Sequence, residues 1–370
     1  MYTSAEILEI VNNHISNLPY ERKPMSLYEP IKYVLAAGGK RIRPCLVLMA
    51  YNLFRDDVLR ALPVATAIET YHNFTLLHDD LMDNADVRRG RPTVHRKWDA
   101  NQAILSGDTM LCMAFGHLAQ FSPAEGVSCP DSSDADKWDN GTMGQWDKLN
   151  SENTGKSLSN ATEENSIQKR LTDVFVRTAL EVSEGQQLDM EFETRNDVTE
   201  AEYIEMIRLK TSVLLACALK MGAIAAGATE EDSQQLYDFG EKIGLAFQLQ
   251  DDLLDVYGDP KVFGKAIGGD ITSNKKTYML INAQRLAKGE TKQELDRWLQ
   301  AKDFNKEEKI KAVTEIYNKL GIREMAERKI EEYFEEGKRK INLSHCSLSH
   351  CSADISVLLD YANKLMKRQK

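Results

Sequence analysis

Two stretches of the chain repeat one spacing of aspartates. The first is "HDDLMD", residues 78–83, and the second is "QDDLLD", residues 250–255. In each stretch, carboxylates stand at positions i, i+1 and i+4. The six residues are Asp79, Asp80, Asp83, Asp251, Asp252 and Asp255. On a helix, the first and last carboxylates of each triad share one face, and the middle one lies beside them.

Three like charges in one helical patch repel each other, so each triad needs a compensating cation. Carboxylate oxygens favour hard divalent ions such as Mg²⁺. One such triad in an acidic protein is usually a solvated helix face. Two copies, each set in apolar sequence such as "LAFQLQDDLLD", predict carboxylates that line an internal cavity. Mg²⁺ keeps one or two protein carboxylates and completes its shell with phosphate oxygens and water, so the implied ligand is a diphosphate.

Four further stretches supply the positive charge that a diphosphate needs. They are "GGKRIRP" (38–44), "RRGRP" (88–92), "RLKTS" (208–212) and "FGKAIGGDITSNKKTY" (263–278). Arginine offers a planar fork that matches phosphate, and lysine adds a point charge. The basic residues assigned to this role are Lys40, Arg41, Arg43, Arg88, Arg89, Arg91, Lys210, Lys265, Lys275 and Lys276. Together they predict enough charge for two diphosphates.

The elements that must position these groups are helices. Apolar residues recur at helical spacing almost everywhere, as in "IKYVLAAGG" and "QKRLTDVFVRTALEVSEGQQLDM", and strand-like alternation is scarce. The pattern predicts an all-α fold in a single domain over residues 1–370. Residues 121–166 interrupt it, because they are rich in Ser, Asn, Asp, Gly and Thr and poor in apolar residues. They predict a surface or disordered insertion.

Composition narrows the classes of function. A net charge of -10 argues against nucleic acid as a partner. Neither a signal peptide nor a membrane span is readable, which favours a cytoplasmic protein. Six cysteines in 370 residues are not a disulfide framework, and Cys45, Cys112 and Cys217 are expected to be buried thiols. The tandem "LSHCSLSHC" at 343–351 matches no usual zinc spacing, so it is interpreted as a loop.

These motifs, taken in order, resemble the trans-type isoprenyl diphosphate synthases (polyprenyl synthases), which include farnesyl and geranylgeranyl diphosphate synthases. The resemblance also includes "GDTMLCMAF" and "GQQLDMEF", and it covers nearly the whole chain outside the insertion. It implies the isoprenoid synthase fold, a helical bundle around a deep central cavity, and a homodimer. The implied reaction is the Mg²⁺-dependent head-to-tail condensation of isopentenyl diphosphate with an allylic diphosphate.

The resemblance also implies a role for each site residue. Direct Mg²⁺ ligands would be Asp79, Asp83 and Asp251, supported by Asp80, Asp252 and Asp255, with three ions when substrate is bound. The allylic diphosphate would be held by Arg88, Lys210, Lys265 and Lys275. Isopentenyl diphosphate would be held by Lys40, Arg43, His72 and Arg89. Thr211 and Gln248 would face the site between them. Product length would depend on Phe74, Thr75 and Tyr71, with geranylgeranyl favoured over farnesyl diphosphate.

Two other interpretations stay open from the sequence. A class I terpene cyclase shares the fold and the first triad, but it would normally carry a different second metal motif and would not need an isopentenyl site. A non-catalytic partner subunit of a synthase would have lost aspartates, whereas both triads are complete here.

Overall fold

The computed structural model describes residues 2–123, 167–258, 267–341 and 355–366. Lys265 lies outside these residues, as do the His/Cys duplication at 343–351 and all of the predicted insertion after residue 123. The insertion and the single-domain assignment therefore stay predictions.

Helices dominate the part of the chain that the structure describes, and the all-α prediction is confirmed. A pair of two-residue strands, β1 (Val87–Arg88) and β2 (Arg91–Pro92), interrupts them. A 3₁₀ turn covers Val58–Ala61 and a π-helical turn covers Arg208–Ser212. The helices are α1 Ser4–Ser16, α2 Met25–Leu35, α3 Ile42–Phe54, α4 Leu62–Met82, α5 Val94–Lys97, α6 Ala100–Leu118, α7 Ile167–Thr194, α8 Glu200–Ile207, α9 Val213–Ala225, α10 Glu230–Tyr257, α11 Gly269–Ser273, α12 Tyr278–Leu286, α13 Gly289–Gln300, α14 Lys306–Lys319, α15 Ile322–Lys340 and α16 Ser356–Met366.

Several of these helices begin at residues that cap backbone N–H groups. Thr3 and Thr199 each form a capping box with a glutamate three residues later, and Asp99 caps α6 through the N–H of Gln102. Pro63 lies in the first turn of α4, where its missing N–H costs nothing. The helix boundaries are therefore encoded locally, by side chains that satisfy otherwise unpaired donors.

The centre of the bundle is α9, whose residues are all buried. It packs against α3, α7 and α10, and α3 is buried along nearly its whole length. A helix that is apolar on all sides can lie only in the interior, and removing it from water is favourable by about 25 cal/mol per Å² of apolar surface. Around this centre, α4 packs against α3 and α6, and α10 packs against α15.

Arg41 has a structural place that differs from the predicted one. Its guanidinium is buried and lies 2.5 Å from Oε1 of Glu69 on α4, and its Nη2 donates to the carbonyl of Leu35 at 2.6 Å. Removal of one partner from a buried ion pair typically costs about 3–5 kcal/mol. Arg41 therefore anchors the "GGKRIRP" loop to α4, and the assignment of this arginine to phosphate binding was wrong.

Two further expectations, on the cysteines and on membrane spans, can be compared with the structure. Cys45 and Cys217 are buried, but Cys112 is exposed on α6, so its assignment as a buried thiol was wrong. Within the described ranges, every helix is either too short or too polar to cross a bilayer.

Candidate active site

The first aspartate triad lies at the carboxyl end of α4. Asp79 accepts from Nη2 of Arg88 at 3.3 Å and from Nζ of Lys210 at 3.2 Å. Asp80 is buried, and Nε of Arg88 lies 2.6 Å from its Oδ1. Asp83 is the exposed C-cap residue of the helix. The helix end thus directs Asp79 and Asp80 toward cations brought from other parts of the chain.

The β1–β2 hairpin delivers the arginines to this end of α4. Arg88 pairs with Arg91 across the hairpin, and the turn between them has positive φ at Arg89 (53°) and Gly90 (73°). Arg89 extends the other way and donates to the carbonyl of Gly38 in the loop before α3. One tight turn therefore places two neighbouring arginines against two different walls of the site.

The charges of the first triad are only partly compensated. Burial raises the pKa of Asp80, although Arg88 opposes the shift. Although Asp83 is exposed as a residue, neighbouring atoms partly desolvate its carboxyl and raise its pKa, and the nearby carboxylate of Asp79 raises it further. Two neighbouring carboxylates of this kind are suited to a divalent cation, which would offset the repulsion between them.

The second triad lies on α10, where Asp252 is buried. It accepts from the hydroxyl of Tyr203 and, at 2.9 Å, from Nε2 of Gln248. Gln248 in turn accepts from Oγ1 of Thr211 at 3.0 Å, so the amide has one fixed orientation. Burial and the charge of Asp270 raise the pKa of Asp252 to about 7, against the opposing effect of these hydrogen bonds.

The other two aspartates of this triad lie half-buried on the same face of α10. The backbone N–H of Asp270, in the first turn of α11, donates to Oδ2 of Asp255 at 2.9 Å. Burial lowers the pKa of Arg43 to about 10, and the carboxylates of Glu69 and Asp251 oppose that shift. The second triad therefore lies close to the positive groups at the start of α3.

The π-helical turn at 208–212 presents Lys210 and Thr211 to both triads. Two glycines allow neighbouring helices to approach it closely. A Cβ at Gly185 of α7 would lie 2.2 Å from the backbone nitrogen of Lys210, and one at Gly244 of α10 would lie 2.6 Å from Cα of Ser212. The widened turn is thus held between two helices, a common arrangement at functional sites.

Asp189 on α7 joins the site, and the sequence interpretation missed it. Its Oδ2 lies 2.7 Å from Nζ of Lys210 and 3.6 Å from Nζ of Lys275. Burial alone would raise the pKa of Asp189, but the two lysines outweigh burial and lower it. The carboxylate therefore binds two cations that were predicted to bind phosphate. A signal was present in "GQQLD", where Gly185 precedes Asp189 by one helical turn.

Lys275 connects the two triads electrostatically. Burial would lower its pKa, but the carboxylates of Asp189, Asp270, Asp252 and Asp83 raise it. It therefore remains a cation between α4 and α10. Lys276 donates instead to the carbonyl of its neighbour Asn274, at 3.4 Å.

A second group of polar residues surrounds His72, two helical turns before Asp79. Nη1 of Arg43 lies 3.1 Å from Nε2 of His72. A guanidinium can only donate, so Nε2 accepts. Burial, followed by the charges of Arg43, Arg89 and Arg88, keeps the pKa of His72 well below its usual range. The imidazole is therefore neutral near pH 7, and it lies in a strongly positive region. Lys40 is exposed in the adjoining loop.

The predicted product-length residues lie on the same helix. Phe74 is half-buried, with its ring centroid 5.5 Å from that of Tyr71 and 4.8 Å from that of His78. Tyr71 is buried and donates its hydroxyl to the carbonyl of Ala179 at 3.2 Å. Thr75 donates to the carbonyl of His72 at 2.8 Å. Phe74 and Tyr71 thus form an aromatic wall below the first triad.

The site provides carboxylates from two helices for metal ions. Among the described residues, no group of three or more His, Cys, Asp or Glu side chains forms a compact metal cage. Carboxylate oxygens from two helices are a donor set that suits Mg²⁺, which is usually held by one or two carboxylates together with substrate phosphates and water.

Known proteins resemble the chain over most of its length. Residues 24–317 match the sequence model of the Polyprenyl synthetase family. The geranylgeranyl diphosphate synthase of Methanosarcina mazei is 35% identical over 358 residues, 95% of this chain and 92% of the relative. The geranylfarnesyl diphosphate synthase of Natronomonas pharaonis is 36% identical over 296 residues, 76% of this chain and 75% of the relative. The structure of a geranylgeranyl pyrophosphate synthetase from Pyrococcus horikoshii Ot3 superposes with a TM-score of 0.79, at 30% identity, covering 99% of this chain and 98% of that one.

The Asp189 network generates a stability prediction. Asp189→Asn leaves two partly buried lysines without their shared carboxylate, so we expect a loss of about 1–3 kcal/mol in the free energy of unfolding at pH 7. Urea denaturation without Mg²⁺ measures it. Asp173→Asn, which removes an exposed carboxylate from the same helix, is the control and should cost less than about 0.5 kcal/mol.

The pH dependence of this loss has a definite sign. The folded pKa of Asp189 is lowered, so its contribution is present above the pKa of the unfolded carboxyl, about 3.9, and is lost as pH falls through the folded value. The difference between wild type and Asp189→Asn should therefore be the same at pH 7 and pH 5. Equal stability of the two proteins at pH 7 would contradict the network.

Proposed function

The chain belongs to the polyprenyl synthetase family and is a prenyltransferase, and we propose that it joins isopentenyl diphosphate head-to-tail to an allylic diphosphate. The product is a short-chain all-trans prenyl diphosphate. The family predicted from the sequence is confirmed. The roles of individual residues, the metal ions, the product length and the assembly of subunits are proposals that go beyond the family assignment.

The observation that carries this proposal is the connection between the two aspartate triads. Asp189 holds Lys210, which contacts Asp79 of the first triad, and Lys275, whose charge acts on both triads. Carboxylates and cations that alternate around one site suit a ligand that brings both metal ions and phosphate charge.

We assign the allylic diphosphate to the side of the site next to the triads. Asp79, Asp83 and Asp251 would hold Mg²⁺, three ions with substrate bound, supported by Asp80, Asp252 and Asp255. When bound, Mg²⁺ neutralises the diphosphate and makes it a better leaving group. Arg88, Lys210 and Lys275 would bind its oxygens. Lys265, outside the described residues, keeps the same predicted role.

Isopentenyl diphosphate is assigned to the positive region around His72. Lys40, Arg43 and Arg89 would bind its diphosphate, with the neutral imidazole as a hydrogen-bond partner. Thr211 and Gln248 would face the site between the two substrates, and the hydrogen bond between them limits the rotation of both side chains.

The reaction then follows from charge. Arg88, Lys210 and Lys275 stabilise the negative charge that builds up as the allylic carbon–oxygen bond breaks, which leaves an allylic cation and diphosphate. The double bond of isopentenyl diphosphate supplies the electron pair for the new carbon–carbon bond. The adjacent carbon then loses a proton to the released diphosphate, and a new double bond forms. Apolar walls protect the cation from water.

Both rival interpretations are less well supported. A terpene cyclase would not need the positive region formed by Arg43, His72 and Arg89. A non-catalytic partner subunit would not need two complete triads, and here the charge of Lys275 acts on both. A cytoplasmic location stays a prediction.

We propose geranylgeranyl diphosphate as the main product, with farnesyl diphosphate next. Phe74 precedes Asp79 by five residues, or about 7.5 Å of helix. Its ring would close the tunnel into which the growing chain extends, and Thr75 leaves room beside it that a second aromatic ring would fill. Tyr71, one turn further, would form the next barrier.

A homodimer is proposed from an exposed apolar surface on α6 and α7. Leu105 is 57% exposed and Leu180 is 53% exposed, and Ile104 and Val176 lie beside them. Phe115 connects the two helices through its ring, 5.0 Å from that of Phe175. An apolar surface of this kind on a folded protein is typical of a protein interface.

The first functional prediction concerns the triads. Asp79→Ala and Asp251→Ala should each lower turnover at least about a hundredfold, because each removes a carboxylate that would hold the Mg²⁺ needed to stabilise the leaving diphosphate. Incorporation of labelled isopentenyl diphosphate at saturating Mg²⁺ measures turnover, and circular dichroism checks the fold. Asp238→Ala, on the same helix as Asp251, is the control. Near wild-type turnover in either triad variant would contradict the mechanism in which both triads bind Mg²⁺.

The second concerns product length. Phe74→Ala should extend the main product by at least one isoprene unit, because the chain can then grow as far as Tyr71. Mass spectrometry of the products at low conversion measures this. Phe304→Ala replaces another half-buried aromatic and should leave the products unchanged. Wild-type products at full activity from Phe74→Ala would show that another residue stops growth.

The third concerns assembly. Light scattering should give about twice the mass of one chain for the wild type. The double variant Leu105→Glu/Leu180→Glu should give monomers, because four charges would be buried in each dimer. Leu59→Glu introduces the same charge at a side chain that is 59% exposed elsewhere, and it should stay dimeric. A dimeric double variant would place the interface on another surface.

A further inference from the structure

A contact between α4 and α6 explains a motif that the substrate positions leave unexplained. Gly107 belongs to "GDTMLCMAF" and faces His78 of α4. A Cβ at position 107 would lie 2.1 Å from Nε2 and 2.5 Å from Cδ2 of that imidazole. By contrast, a Cβ at Gly116 on the same helix would meet nothing within 4 Å. Glycine at 107 is therefore required by the ring of His78.

His78 fills the space between α6 and the aromatic wall. Its Nε2 lies 3.2 Å from the carbonyl oxygen of Ile104, on the backbone of α6. Its ring packs edge-on against Phe74, with centroids 4.8 Å apart and planes at 67°. Tyr71 contacts Phe74 from the next turn, at 5.5 Å. Phe74 is thus held along α4 between two rings, and each ring contacts a backbone carbonyl of another helix: His78 that of Ile104 on α6, and Tyr71 that of Ala179 on α7.

We propose that His78, held in place by Gly107, is the positioning residue that fixes the ring of Phe74 and so sets product length. The inference rests on the proposed function, in which Phe74 stops chain growth. His78 contacts the stop and not the substrate. Its neighbour in sequence is Asp79, so the same helical turn presents a metal ligand on one side and the support of the tunnel stop on another.

The direction of the effect follows from the contacts. A methyl group at position 107 must displace the imidazole by more than about 1 Å to reach ordinary van der Waals separation. The backbone of α6 blocks movement toward Ile104, so the ring moves toward Phe74 and presses it into the tunnel. Removal of the imidazole has the opposite effect, because Phe74 then gains space to turn away.

The experiment compares product distributions from Gly107→Ala, His78→Ala and their double variant, with Phe74→Ala as reference and Gly116→Ala as control. Each purified protein receives isopentenyl diphosphate, an allylic primer and Mg²⁺, and the products are separated by length at low conversion. Relative to wild type, Gly107→Ala should raise the share of the product one unit shorter at least about fivefold. His78→Ala should raise the share of longer products by a similar factor.

The double variant tests whether the effect passes through the imidazole. It should match His78→Ala, because the methyl group no longer has a ring to displace, and Gly116→Ala should match wild type. Turnover is recorded separately, since a general disturbance of Asp79 would lower rate without changing the length ratio.

The outcomes separate this inference from the function on which it rests. If Phe74→Ala lengthens the products while His78→Ala leaves them unchanged, the positioning role is overturned and the stop remains. The positioning role would also be overturned if Gly107→Ala shortened the products both in the wild type and in the His78→Ala variant. If Phe74→Ala does not change the products, both the role of Phe74 as the stop and the role of His78 as its support are overturned. If the wild type makes no prenyl products, the proposed function itself is overturned. Should Gly107→Ala fail to fold, His78→Ala alone decides.

Discussion

The repulsion among crowded carboxylates is the constraint on which the site depends. Six triad aspartates and Asp189 come together from three helices, and the fold can hold them only because cations lie between them. Lys210 and Lys275 are shared rather than paired one to one, and Arg88 is shared between Asp79 and Asp80. The proposed metal ions and diphosphates would add further charges of both signs to this alternating pattern.

The bundle provides the precision that this arrangement needs. The central helix α9 is buried on every side, and the π-helical turn directly before it carries Lys210 and Thr211. Close packing at Gly185 and Gly244 fixes that turn against two other helices. Lys210 and Thr211 are therefore attached to a fully buried and closely packed part of the molecule, and catalysis by charge stabilisation requires such preorganisation.

The sequence was informative where a local pattern of residues determines the structure. Helical period, the i, i+1, i+4 aspartates and their apolar surroundings predicted the fold and both triads. It gave no information, or the wrong assignment, where the role of a residue depends on a side chain that is distant in sequence and close in the fold. Arg41 looked like its neighbours Lys40 and Arg43, but Glu69 on another helix makes it structural. Asp189 looked like one acid among several on α7, and only the fold brings two lysines to it.

A row of aromatic rings joins the interior to the outer surface. It runs from Phe74 through Tyr71 and Phe175 to Phe115, each ring 5.0–5.5 Å from the next. One end supports the proposed limit on chain growth, and the other lies in the exposed apolar surface of α6 and α7. Evolution toward longer products, by replacement of successive rings with smaller side chains, would thus soon alter the surface proposed for the association of two copies. Under these two proposals, product size and subunit assembly are not independent traits, and selection on one constrains the other.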